Sequence, residues 1–99
     1  MCGATQGGLA LEHAGVGTQS VIQGVVVRGS QPVGGAYVRL LDRGGEFTAE
    51  VPTSATGHFR FFAAPGEWTL RTLAPKAATV DRKVVARQGA VADVLVALS

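Results

Sequence analysis

Few side chains in this sequence are of types that do chemistry, and their spacing narrows them further. The one cysteine is Cys2. If the initiator methionine is removed, as a small second residue permits, its thiol sits beside an α-ammonium group. A nearby cation favours the thiolate, the nucleophilic form. The competing reading is an incidental thiol on an arm. A zinc site needs three or four ligands at metal spacing, and Cys2, His13 and His58 form no such set. His58 precedes Phe59 in the polar phase of its segment and reads as a surface histidine. Ser54 and Thr56 lie in the turn over 53–57, where hydroxyls bond local backbone. No Gly-x-Ser-x-Gly elbow accompanies them, so a serine hydrolase is unsupported. Glu46 and Glu50 are close in sequence, but no apolar pocket is evident to split their pKa values. Gly34-Gly35 and Gly44-Gly45 lack the helix N-terminus that a phosphate cradle needs. The reading is of no enzyme, no catalytic residue, no cofactor and no metal.

The elements that hold these residues are strands. Ninety-nine residues make one domain, and 46% hydrophobic against 16% charged argues against disorder. Fourteen glycines and two lysines suit short segments joined by tight turns better than a helical bundle. Gly3, Gly7, Gly8, Gly15 and Gly17 crowd the start, so residues 1–19 read as a flexible arm and 20–99 as the domain. The expected strands are 20–28, 36–42, 46–51, 58–63, 67–73, 77–87 and 91–98. Ala36, Val38 and Leu40 share one face, as do Phe59 with Phe61 and Trp68 with Leu70. Period two over three consecutive segments predicts half-buried antiparallel strands, with those side chains between two sheets. Gly24 alone interrupts a strand, the mark of a bulge or a close backbone approach. Residues 6–14 fit either an edge strand or an ordered arm. The pattern is that of an all-β, seven-stranded antiparallel Greek-key β-sandwich, with barrel closure as the alternative.

Four motifs in order carry a resemblance over this domain. Ile22-Gln23-Gly24-Val25-Val26 is followed by Gln31-Pro32-Val33-Gly34-Gly35-Ala36-Tyr37-Val38-Arg39-Leu40. Then come Thr53-Ser54-Ala55-Thr56-Gly57-His58-Phe59-Arg60-Phe61 and Pro65-Gly66-Glu67-Trp68-Thr69-Leu70. They resemble the transthyretin-like, or carboxypeptidase regulatory-like, β-sandwich domain, with Ser30 standing where that signature often has Gly. That fold also hosts 5-hydroxyisourate hydrolase, whose Tyr-Arg-Gly-Ser tail is replaced here by Val96-Ala97-Leu98-Ser99. Fold alone does not confer that site.

A narrower resemblance rests on Arg39-Leu40-Leu41-Asp42, Glu46-Phe47-Thr48-Ala49-Glu50-Val51 and 59–66, together with Met1-Cys2 and Gln6-Gly7. These resemble a small actinobacterial family of unknown function linked to sulfur metabolism, whose members are encoded beside rhodanese-type thiosulfate sulfurtransferases. The resemblance implies an accessory protein that docks such a sulfurtransferase, with Cys2 as persulfide acceptor. The alternative is a purely structural interaction module in which Cys2 has no role.

Partner contacts are expected where strands are apolar on both faces. Val25-Val26-Val27, Phe61-Phe62-Ala63-Ala64 and Val94-Leu95-Val96-Ala97 leave Phe62 and Leu95 facing outward, unless Leu9 and Leu11 of the arm shield part of them. A homo-oligomer or a hetero-complex follows. Arg71, Lys76, Arg82, Lys83 and Arg87 form a basic stretch broken only by Asp81, and Arg82 with Lys83 can steer an acidic partner. No aromatic residue lies in 71–87, which argues against nucleic acid. No apolar run approaches the roughly 18 residues that span a bilayer, and the opening residues lack a secretory pattern. A cytoplasmic protein is expected.

Overall fold

The computed structural model describes residues 20–99, all of it strand, turn and loop. Cys2, Leu9, Leu11 and His13, and the arm expected over 1–19, lie outside the described residues. Eight strands follow in order: β1 Ser20–Arg28, β2 Gln31–Pro32, β3 Tyr37–Leu41, β4 Phe47–Pro52, β5 His58–Ala63, β6 Gly66–Leu73, β7 Val80–Ala86 and β8 Val91–Leu98. Seven were expected; β2 is the addition, a two-residue strand that pairs with the end of β1. The strand expected over 77–87 shortens to Val80–Ala86, because Lys76 takes a positive φ of 60° and the chain turns there.

The strands form two four-stranded sheets that pack as a sandwich. In the first, β1 is central, with β5 and β2 along one edge and β8 along the other. The second runs β4-β3-β6-β7, antiparallel throughout. One pair departs from the expected antiparallel pattern: β8 lies parallel to β1, from Val21 opposite Val91 to Arg28 opposite Leu98. The chain reaches β8 by crossing from β7 in the other sheet, so it arrives at the edge of β1 running the same way.

Period two decides what is inside. Ile22 and Val26 of β1, Val38 and Leu40 of β3, Phe59 and Phe61 of β5, Leu70 of β6 and Val96 of β8 close the core between the sheets. The rings of Phe59 and Phe61 meet at 57° with centroids 6.2 Å apart, the tilted geometry that aromatic quadrupoles favour. Trp68 corrects the expected core list. It is half-buried and packs against the core, and its indole N–H donates to the Ala64 carbonyl at 2.8 Å. An indole needs an acceptor for its N–H, and that carbonyl lies just beyond the end of β5.

Two loops are locked by short polar side chains. Asp42 Oδ1 accepts from the backbone N–H groups of Gly44 and Glu46, both at 2.9 Å, and Gly45 takes a φ of 84° to close the β3–β4 turn. Thr53 is buried; its hydroxyl donates to the Val33 carbonyl at 2.7 Å and accepts from the Ala36 N–H at 3.0 Å. It ties the loop before β3 to the turn before β5.

Candidate functional site

The side chains of β1, β5 and β8 that point away from the core make one face. Cross-strand register sorts them into three rows. Phe62, Val21 and Val91 form the first, Arg60, Gln23 and Asp93 the second, His58, Val25 and Leu95 the third. The middle row is a hydrogen-bonded ladder: Arg60 Nε donates to Gln23 Oε1 at 3.0 Å, and Gln23 Nε2 donates to Asp93 Oδ1 at 3.1 Å. An open groove of about 750 Å³ runs over the second and third rows. Val21 is buried, but Phe62 is 49% exposed and Leu95 55% exposed. Both lie on the outer face, as the sequence predicts.

The third row meets a short string of polar groups at the β4–β5 turn. His58 N–H donates to Ser54 Oγ at 3.1 Å, Ser54 Oγ and Thr56 Oγ1 are 3.2 Å apart, and Thr56 Oγ1 is 2.9 Å from His58 Nδ1. These hydroxyls bond locally, and His58 is exposed. The string organises the turn, and its His58 lines one end of the groove.

The outer face of the second sheet carries a charged row, with the exposed Tyr37 and Val85 in the same outward phase. One register row reads Glu50, Arg39, Arg71 and Asp81 across all four strands. Arg39 Nε bonds Glu50 Oε1 at 2.8 Å, and Arg71 grips Asp81 with two N–H···O bonds of 2.9 and 3.0 Å. That bond from Arg71 holds the Asp81 carboxyl below the usual carboxylate range, and it raises Arg71 in turn. Glu50 is therefore committed to Arg39, while Glu46 sits in the preceding turn, so the two carboxylates do not pair for acid–base work.

The expected contact residues divide between surfaces. Phe62 and Leu95 share the outer face of the first sheet. Lys83 sits opposite Thr69, on the charged face of the second. Arg82 stands opposite Leu70, a position that points toward the other sheet, and at the open edge it donates to the Leu95 carbonyl at 2.6 Å. Within the basic stretch Arg71 is neutralised by Asp81, which leaves Lys76, Arg82, Lys83 and Arg87 as the cationic flank. Among the described residues no three of His, Cys, Asp and Glu come together as a metal site would require, and no helix is long and apolar enough to cross a membrane.

Sequence reasoning missed two features. One is the Arg60–Gln23–Asp93 ladder, whose signal was a polar residue at the same phase in each of three otherwise apolar strands. The other is Thr53, passed over in favour of its exposed neighbours Ser54 and Thr56.

The family described as Protein of unknown function (DUF1416) matches residues 2–98. An uncharacterized protein of Mycobacterium tuberculosis is 59% identical over 75 residues, which is 74% of this chain and 75% of the relative. Among solved structures, the major pilin subunit of Bacillus cereus superposes with a TM-score of 0.70 at 16% identity, over 81% of this chain and 28% of the pilin. The dioxygenase domain of a dioxygenase and carbohydrate-binding protein fusion from Streptomyces sp. SirexAA-E gives 0.66 at 13% identity, over 83% of this chain and 80% of that one. At these identities the likeness is one of fold: a β-sandwich.

Proposed function

The chain belongs to the DUF1416 family, and we propose that it is a non-enzymatic accessory protein of sulfur transfer, working in the cytoplasm. The sandwich is a contact platform. The observation that carries this is that Phe62 and Leu95 are each about half exposed on the outer face of one sheet whose core is complete without them. They stand at opposite corners of that face with the Arg60–Gln23–Asp93 ladder between them, so a partner there would meet apolar contacts at two ends and polar groups in the middle. The contact residues lie on different surfaces, so the platform has two. The outer face of β5, β1 and β8 serves stable assembly. The cationic flank with Arg82 and Lys83 steers a rhodanese-type sulfurtransferase, the partner that the family resemblance implies.

Cys2 is the sulfur acceptor in this reading, on the strength of that resemblance. A rhodanese carries a persulfide on its own cysteine. The Cys2 thiolate attacks the outer sulfur, the enzyme's S–S bond breaks, and its cysteine leaves as a thiolate while Cys2 becomes the persulfide. No oxidant is consumed; the step is a thiol–disulfide type exchange.

The test is the mass of the full chain after incubation with thiosulfate and the sulfurtransferase. A gain of about 32 Da, one sulfur, that maps to Cys2 and disappears in Cys2→Ser, with an unchanged melting temperature, supports the relay. Undiminished sulfur flux through Cys2→Ser overturns it. Binding without mass gain leaves the purely structural module.

A further inference from the structure

We propose that Arg82 is an edge guard: its guanidinium holds the outward carbonyl of β8 and keeps a second copy of this chain from adding its own β8 to that edge. The role lies within the chain and stands whether or not the cationic flank meets a sulfurtransferase.

The backbone of β8 has two sides. The Ala90 carbonyl accepts from the Val21 N–H at 3.1 Å, and the Val94 carbonyl lies against Gly24. Alternate residues of a strand turn their backbone polar groups to opposite sides, so the even-numbered residues of β8 face β1. Val91, Asp93, Leu95 and Ala97 then turn N–H and C=O to the outer edge, where no strand pairs among the described residues. The strand is eight residues long, with one charge and no proline. An apolar edge of that length is a template for a further strand. A second β8 is self-complementary to it about a two-fold axis. Centred on Leu95, the antiparallel pair sets outward residue against outward residue and Asp93 against Ala97, so no like charges meet.

Arg82 stands in the way. It lies on β7, the edge strand of the other sheet, opposite the fully buried Leu70. Its neighbours in that inward phase, Val80 and Val84, pack against the core. A charge in the inward phase of an edge strand is a device against strand addition. Here it reaches across the sandwich, where Arg82 Nη1 donates to the Leu95 carbonyl at 2.6 Å. That carbonyl is the central acceptor of the β8–β8 pairing. The guanidinium takes it and sets an exposed cation in the path of a second strand. β7 protects its own edge by the run Asp81-Arg82-Lys83, and β4 by its terminal Pro52. β8 has neither, so it depends on Arg82.

Sedimentation equilibrium of the full chain, with Arg82→Ala beside the wild type at matched concentrations, tests this. Arg82→Ala should double the wild-type mass as concentration rises. Arg82→Met keeps the length of the stem, drops every N–H donor and should do the same; it serves if the alanine variant fails to fold. Adding Leu95→Pro to either removes the outward Leu95 N–H without touching a bond to β1, and should return the wild-type mass. Amide exchange gives a second readout: Asp93, Leu95 and Ala97 should gain protection in the associated form. Folded Arg82 variants that sediment like the wild type at every concentration overturn the inference. So does association that persists undiminished in the folded proline variant, or that leaves these three amides unprotected, since the new contact would then lie elsewhere.

Discussion

Gly24 of β1 lies beneath the ring of Phe59, and the missing side chain is what lets β8 close on β1. A Cβ at this position would overlap the Val94 carbonyl oxygen and come within 2.9 Å of Phe59 Cζ. The obstacle is backbone from the paired strand, so it cannot swing aside without opening the β1–β8 ladder. Gly24→Ala should therefore cost about 3 kcal/mol or more, at the upper end of overpacking. Urea denaturation reads it as a fall in midpoint. A midpoint within error of the wild type would mean that β8 can shift outward freely.

Gly24 also shows how far the sequence carries. A lone glycine in a valine-rich strand signals either a bulge or a close backbone approach, and the structure shows the second, against Val94. The same logic of period two placed Val38, Leu40, Phe59, Phe61 and Leu70 inside. It could not reveal that β8 runs parallel to β1, since alternation is blind to strand direction. Nor could it join Arg60, Gln23 and Asp93, which are up to 70 residues apart and meet only through register. Lys83 and Phe62 illustrate the converse. Both read as partner contacts in the sequence, but the two-layer architecture puts them on opposite surfaces.

Thr72 offers a stabilising substitution. It faces inward on β6 between Val38 and Val80, fully buried, and its hydroxyl has no hydrogen-bond partner among the described residues. A buried hydroxyl without a partner keeps its desolvation cost. Thr72→Val replaces it with a methyl of similar size and should add about 1 kcal/mol. For a domain of this length that is roughly 4–8 °C in melting temperature, measurable by calorimetry. A lower melting temperature would show that the hydroxyl has an acceptor in solution.

Trp68 closes the end of the core rather than filling its centre. Trp68→Ala should cost about 2–3 kcal/mol, below the roughly 3–5 of a fully buried ring, because part of the indole already meets water. Trp68→Phe isolates the hydrogen bond to Ala64, which at 2.8 Å should be worth about 1 kcal/mol. Chemical denaturation of both variants separates ring from N–H. Equal losses would mean that the ring itself contributes little packing.

The Arg71–Asp81 pair gives the charged sheet a pH signature. Its carboxyl is held below the usual range chiefly by the hydrogen bond from Arg71; partial burial pushes the other way, and the charges of Arg71 and Lys83 add lesser downward pulls. A depressed carboxylate contributes stability above its unfolded pKa, near 3.9, and loses it as pH falls through the lower folded value. Wild type should therefore exceed Asp81→Asn in stability at neutral pH, and the gap should close as the solution is acidified below pH 4. The pair is exposed, so the gap is small and shrinks in high salt. Parallel thermal melts of the two proteins from pH 7 to pH 2.5, in low and high salt, check both dependences. A gap that persists unchanged at the acid end would mean that Asp81 acts through packing or neutral hydrogen bonds, and that the two N–H···O bonds from Arg71 are not what couples β6 to β7.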